Sequence, residues 1–384
     1  MTEKTDMSRR LFLGSAITTS TILAGCSGSG GTNTPTETAT DTATETDTPT
    51  PTETETETET PTEEPTTVEN FPYPDGASQD GITPTQLFST HRSSIINGGS
   101  ATVSIEQATD RDDYTSSVVF TNTYSSSGIL RVEEGSNLTE RLWSPANKGV
   151  GYVEMDTGFE QRYRIDNHAP SPQQILRLPD VEQLLAGGQW SEAKSIAEDA
   201  PVEAVVYEAS GVESEENLLR LLPGDKVSAF DATISVTEAG YLNDLTYDIT
   251  IERDDRTVQQ RATVTTGKVG ESTVEEPSWA TTAQENGAQF NVGVTDDNKA
   301  VRMELVNGEV PSDTTVNLSS NQFGSATLGQ SLSAGDSLYA SFSQNGNVLL
   351  GINEVPNGST DLGNFVFVDL RDGQFSLLEQ DIST

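Results

Sequence analysis

Cysteine occurs once in this chain of 384 residues, at Cys26, so no disulfide forms within it and the fold must hold by its core. Histidine is almost as scarce, with His91 and His168 alone. No HExxH spacing and no His/Cys cluster of the kind zinc requires is present. No GxSxG, GxGxxG or P-loop pattern stands at a strand-to-helix turn. The sequence thus offers no nucleophile–base pair, no metal ligand set and no cofactor motif; the expectation is a protein that is not an enzyme and carries no cofactor. Basic residues are few, six lysines and fifteen arginines against 60 acidic residues, for a formal charge of −39. A surface of that sign repels nucleic-acid phosphates, and nucleic acid is excluded as a partner. Long apolar runs are missing too. The stretch from Leu11 to Ala24 is interrupted at Thr18, Thr19, Ser20 and Thr21 and falls short of the ~20 residues a transmembrane helix needs.

The acidity is spread along the chain. Residues 31–70 hold eleven Asp or Glu and no basic residue, and residues 71–384 still hold 47 acidic against 18 basic ones. A cation or basic-ligand site would be a cluster. A spread charge reads as a solvated surface suited to concentrated salt, where screening within ~3 Å at about 1 M weakens self-repulsion. Scarce lysine with abundant Asp, Thr and Gly resembles the proteins of halophilic archaea.

What is present at the amino terminus is a signal. Ser8-Arg9-Arg10-Leu11-Phe12-Leu13 resembles the twin-arginine export signal, a charged segment before a modest apolar one. Leu23-Ala24-Gly25-Cys26 resembles a lipobox, which implies cleavage before Cys26 and lipid on its sulfur; an ordinary signal cleaved elsewhere is the alternative. The resemblance implies export of a folded chain, anchored on the extracellular face of the cell membrane. Residues 32–67 are almost wholly Thr, Glu, Pro, Asp and Ala. They bury too little apolar surface to offset ordering entropy, and read as a stalk reaching ~110 Å at about 3.1 Å per residue if fully extended.

Folded sequence begins near Phe71. Pro74-Asp75-Gly76 and Asp80-Gly81 are turn signals. Thr83 is expected to cap a helix with Pro84 at its first position and Gly98 to end it, with Leu87, His91, Ser94 and Ile95 on one side. Period-two alternation then predicts six antiparallel strands between residues 100 and 167. Helices are expected over 171–188 and 189–200, a strand over 201–210, a short helix over 214–224, three long strands to 270, and a helical turn at 277–284. This order predicts an α+β domain at 71–285, a curled antiparallel sheet covered by helices. "YPDGASQDGITPTQLFSTHRSS" and the strands after it resemble a family of uncharacterised haloarchaeal lipoproteins. The element order of residues 75–285 is in turn similar to the LolA and LppX lipoprotein carriers, whose open half-barrel and helices enclose an apolar cavity. Residues 286–384 read as a small β-sandwich, with Asn345-Gly346 marking a hairpin. The organisation is therefore signal peptide 1–25, lipidated Cys26 and disordered linker 26–70, LolA-like domain 71–285 and sandwich 286–384.

Candidate functional side chains follow from this organisation. Phe120, Tyr124, Trp143, Tyr152, Tyr163, Tyr207, Tyr241 and Tyr247 either line a ligand cavity or pack the strands. The acidic pairs Asp112-Asp113, Glu133-Glu134, Asp254-Asp255 and Asp296-Asp297 sit in turn-like settings without EF-hand order. Asn137, Asn317 and Asn357 head N-glycosylation acceptor patterns. Two functions are carried forward: a membrane-anchored binding protein holding an apolar ligand or lipid in a half-barrel cavity, and a structural module contacting envelope protein or glycan.

Overall fold

The computed structural model describes residues 65–111, 114–197, 202–254 and 256–383. The protein is mostly β, 52% strand and 14% helix, and its large antiparallel sheet is not closed. A two-residue hairpin, β1 (Ala77–Ser78) and β2 (Gly81–Ile82), leads to α1 (Pro84–Gly98). A meander follows: β3 (Ala101–Arg111), β4 (Tyr114–Ser125), β5 (Gly128–Glu134), β6 (Thr139–Pro145), β7 (Gly151–Asp156) and β8 (Gln161–Asp166). Next come α2 (Pro172–Ile175), α3 (Leu178–Gly187), β9 (Gly188–Trp190) and β10 (Ser195–Ile196). Then β11 (Ala204–Val212), α4 (Glu215–Leu221), β12 (Lys226–Thr237), β13 (Leu242–Arg253) and β14 (Arg256–Gly267) complete the sheet. Its order is β10-β11-β12-β13-β14-β3-β4-β5-β6-β7-β8, with β9 also on β11.

Local chemistry explains most of these elements. α1 starts at Pro84, whose missing N–H is an orphan there anyway; the Thr83 side chain expected to cap it makes no cap hydrogen bond, and the helix ends where Gly99 takes a left-handed φ of 76° and donates to the Ile96 carbonyl. Its buried stripe is Leu87, His91 and Ile95. The helix expected over 189–200 does not form in the described part, 189–197, which supplies most of β9 and all of β10. Two reasons are visible. Gly187 and Gly188 end α3, and the Trp190 indole N–H closes it by donating to the Leu185 carbonyl at 2.9 Å. The free edge of β11 then takes up the Ser191 and Lys194 N–H groups through the Glu208 and Val206 carbonyls.

The sheet has an inner and an outer face. Inward side chains of β11–β14, among them Tyr207, Phe230, Ile234, Leu245 and Ile249, pack against Leu87, Val181, Leu184, Leu185 and Leu218 of α1, α3 and α4. A second cluster joins Ile95, Val103, Ile105 and Phe120 to Leu176 and Leu178. On the outer face, Leu130, Trp143 and Tyr152 are covered by Val274, Trp279 and Ala280, from the segment leading into α5 (Ala280–Asn286).

The remaining chain forms β15 (Gln289–Val294), β16 (Val301–Asn307), β17 (Glu309–Val310), β18 (Thr315–Ser319), β19 (Phe323–Thr327) and β20 (Leu332–Ser333). It continues through β21 (Ser337–Phe342), β22 (Val348–Ile352), β23 (Phe365–Asp372) and β24 (Phe375–Ser383). These give two four-stranded sheets, β15-β16-β21-β22 and β19-β18-β23-β24. The Asn345-Gly346 turn joins β21 to β22, with Phe342 opposite Val348. The core of these sheets is continuous with the large sheet. Met303, Leu318, Leu338, Phe342 and Val368 share one buried cluster with Ile129, Leu142, Val153 and Met155 from the inner face of β5–β7.

Candidate functional site

Cross-strand register shows where the inner face changes character. One row runs Val103, Asn122, Arg131, Leu142, Val153, Arg164 from β3 to β8; the next runs Ile105, Phe120, Glu133, Glu140, Met155, Arg162. Charged side chains enter this face from β5 onward, at Arg131, Glu133, Glu140, Arg162 and Arg164, beside the apolar Leu142, Val153 and Met155. α2 and the turn into α3 lie over that boundary and leave a cleft of about 350 Å3, whose walls include Phe120, Asn122, Arg131, Ile175, Arg177 and Asp180.

The turn that roofs the cleft has a local cause. Ser171 and Gln174 form a reciprocal capping box that starts α2. Pro179 carries no N–H to continue its ladder, so the helix breaks. Arg177 takes up the break with φ 52° and ψ 32°, a left-handed conformation that an L residue with a Cβ adopts at a cost of about 1–2 kcal/mol. Leu176 and Leu178 on either side are buried, and they fix the turn in place. Arg177 faces the cleft between them.

Two guanidiniums converge on one ring. The Arg131 Cζ lies 5.4 Å and the Arg177 Cζ 5.5 Å from the Phe120 ring centroid, within cation–π range. Arg131 pairs with Glu133, and the Arg177 Nε donates to the Asp180 Oδ2 at 2.6 Å. Beneath them Asn122 is 2% exposed, and its Oδ1 has no hydrogen-bond partner. A buried amide oxygen left unpaired costs roughly 1–3 kcal/mol; among the described residues five other buried side-chain oxygens share that state, and Asn122 is the one that lines this cleft. Behind the cleft, burial pushes the Tyr247 hydroxyl up to about 12, offset in part by its bond from Gln260 and by Arg177. It is a neutral phenol that accepts from the Gln260 Nε2 at 2.6 Å.

A larger cavity of about 720 Å3 lies among strands β4, β3 and β14–β11, with Glu106, Glu208, Asp231, Asp248 and Arg261 along it. It is an open, acidic groove. Inner-face side chains of β11–β14 pack under α1, α3 and α4, and the cleft beside α2 is a space on the same face. Among the described residues no group of three or more His, Cys, Asp or Glu side chains is placed to hold a metal ion. Within the same residues no helix is long and apolar enough to cross a membrane.

The candidate aromatics divide between environments. Phe120 lines the cleft. Tyr207 and Tyr247 belong to the core under the helices, and Tyr124 and Tyr241 pack beside it. Trp143 and Tyr152 stack with ring centroids 5.7 Å apart on the opposite face, the face Tyr163 shares by register. Of the acidic pairs, Glu133 faces inward beside Arg131 and Glu134 is exposed. Asp296 and Asp297 lie in the turn that joins β15 to β16, where Thr295 Oγ1 donates to Asp297. His91 is buried and accepts the Leu242 N–H on its Nδ1 at 3.0 Å, while His168 is exposed after β8. Asn137 and Asn357 are exposed in turns; the Asn317 amide is half-buried and donates to the Asp369 Oδ2 at 3.0 Å. Arg9, Arg10, Leu23, Ala24, Gly25, Cys26, Asp112, Asp113 and Asp255 lie outside the described residues.

Sequence reasoning did not single out Asn122, Arg131 or Arg177. A signal for Arg131 was present: in "GILRVEEG" the residues that share a face with Ile129 are Arg131 and Glu133, a charged face on a strand with a buried neighbour.

Among solved structures, the chain is similar to the Mycobacterium tuberculosis lipoprotein LppX, at 14% identity over 50% of this chain and 100% of that one, with a TM-score of 0.26. It is similar to LprF from Mycobacterium bovis at 12% identity over 51% and 97%, TM-score 0.30. A LolA superfamily protein from Nitrosomonas europaea is 8% identical over 50% and 96%, TM-score 0.20. These likenesses are distant, and the functional reading rests on the cleft. No protein-family model matches the chain and no curated protein matches it.

Proposed function

We propose that this chain is a lipid-anchored binding protein of the extracellular membrane face, without enzymatic activity, whose site is the cleft between the α2–α3 turn and strands β4–β5. The observation that carries the reading is the cleft itself. A cavity of about 350 Å3 falls in the range of small-ligand sites, which are largely apolar with a few placed polar groups. Phe120 and Ile175 supply the apolar wall; Asn122 supplies a buried polar group with nothing to bind. An amphiphile, part apolar and part polar, fits that lining. The lipobox and the stalk support the anchoring: two chains on Cys26 would hold the protein at the membrane where one would not.

The test uses the full chain carrying Cys26→Ser and the neutral apolar fluorophore N-phenyl-1-naphthylamine. One probe per chain is expected, lost in Pro179→Trp, which fills the cleft from an exposed position. No saturable binding, or binding untouched by Pro179→Trp, removes the cleft from consideration. In cells, Cys26→Ser is expected to move the protein from the membrane fraction to the medium.

A second reading, an envelope interaction module, has one observation behind it. Phe323 is 65% and Phe365 49% exposed, and register puts Phe323 and Phe367 on either side of Ser319 on one face of the β19-β18-β23-β24 sheet. If Phe323→Ser with Phe365→Ser leaves envelope retention of the Cys26→Ser chain unchanged, this patch contributes nothing to it.

A further inference from the structure

Resting on the binding reading above, we propose that the cleft takes the acidic head of an amphiphile, a carboxylate or phosphate monoester held by Arg131 and Arg177 over the Asn122 amide. Its apolar body then lies against Phe120 and Ile175.

Charge distribution is the first argument. Residues 71–384 carry only 18 basic side chains against 47 acidic ones, yet two arginines face one cleft. Each meets its own carboxylate through a single nitrogen, Arg131 with Glu133 and Arg177 with Asp180. Among the described residues their other guanidinium nitrogens have no hydrogen-bond partner, and a guanidinium offers five N–H donors in a fixed fork. The donors left over want oxygen acceptors, and a carboxylate or phosphate matches that fork best. Neutral head groups offer fewer acceptors and no charge.

Asn122 is the second argument. Its Oδ1 is unpaired in a side chain that is 2% exposed. A half-turn of the amide leaves its shape unchanged and presents Nδ2–H in the same place. Asn122 lines the cleft together with both arginines, so its amide is at hand as a further donor there. The third is Arg177 itself. Glycine would occupy its left-handed backbone without strain, so an arginine there is held for its side chain. Strain of this kind gathers at ligand clamps.

Partial enclosure decides whether such a site functions in salt. Charges more than about 8 Å apart in solvent at physiological ionic strength are screened, and partly buried ones much less. The Arg131 and Arg177 side chains are 37% and 36% exposed, and an acid group seated between the roof and Asn122 meets them with little intervening water.

Isothermal titration of the full Cys26→Ser chain in about 0.15 M salt separates the terms. The probes are dodecyl phosphate, dodecanoate, dodecanol and inorganic phosphate. Both acids are expected to bind at least about 10-fold more tightly than dodecanol. Arg131→Gln and Arg177→Gln are each expected to weaken the acids by a similar factor and leave dodecanol unchanged. Arg177→Gly removes the guanidinium while relieving the backbone, so it loses acid binding in a chain that melts no lower than the parent. Dodecanol matching the acids, or Arg177→Gly retaining them, overturns the acidic head and leaves the binding reading standing. Inorganic phosphate binding as tightly as dodecyl phosphate overturns the amphiphile, because the source is then a free anion. Failure of all four probes overturns both readings together.

Discussion

His91 is a base that the folded chain keeps from protonation. Burial alone lowers its pKa from 6.5 to about 4, and its Nδ1 already accepts the Leu242 N–H; a proton there would set two donors against each other. The unfolded chain binds that proton near pH 6.5 and the folded one near 4, so stability is full above the first value and falls as pH drops toward the second. Between about pH 7.5 and 5 the loss comes to about 2 kcal/mol. Denaturant midpoints across that window should show this slope, and His91→Gln should flatten it; an unchanged slope in the variant would assign the pH dependence to other groups. Asn317 makes a second case at this scale. Export of a folded chain would leave only exposed acceptor sites open to modification. Asn137 and Asn357 are exposed, whereas the Asn317 nitrogen that would carry a glycan is bonded to Asp369. Glycopeptide mass spectrometry of the native protein should therefore find sugar on Asn137 or Asn357 and an unmodified Asn317.

Elements depend on a few close approaches. Gly76 has φ +87°, and a Cβ placed on it would stand 2.2 Å from the Leu87 backbone nitrogen. The same turn accepts the Thr83 N–H on the Gly76 carbonyl, so it seats the first turn of α1. Gly76→Ala must then push the helix off the sheet, at roughly 3 kcal/mol from overpacking and left-handed strain together. Thermal unfolding should drop accordingly; a melting temperature within error of the parent would mean that α1 is not seated there. The Pro74-Asp75-Gly76 turn, α1 and the long strands were legible in sequence because each has a local cause: a turn residue, a proline at the first helical position with glycine at the end, or alternation of period two. The segment 189–200 was not. Its residues carry a helix-like pattern, and a tertiary demand, the open edge of β11, overrode it. The cleft was legible only in part. Phe120 stood out as an aromatic, but Asn122, Arg131 and Arg177 matter because register and a helix break bring them together, and neither appears in residue spacing.

At the scale of the molecule, the expected separation into a helical-sheet unit and a sandwich meets a shared core. Ile129, Leu142, Val153 and Met155 of the large sheet are buried in one cluster with the strands that follow residue 286. Main-chain bonds cross the same seam: the Ile165 N–H donates to the Ala288 carbonyl, and the Ala288 N–H to the Tyr163 carbonyl. Arg164 stands at its centre, with a side chain 16% exposed. It pairs with Glu140 at 3.2 Å and Asp166 at 2.8 Å, and donates to the Ser376 carbonyl at 2.8 Å. Arg162 reaches Asp372 beside it at 2.6 Å. Units that share a core and a partly buried ion network unfold together, so calorimetry of the full chain should give one transition. Arg164→Met leaves two part-exposed carboxylates and a carbonyl at the seam without their partner, at about 2 kcal/mol. For a chain of this size that lowers the melting temperature by roughly 4 °C while the transition stays single. Two resolved transitions in the parent, or a variant in which only one of two transitions moves, would mean that the seam is a contact between independently stable bodies.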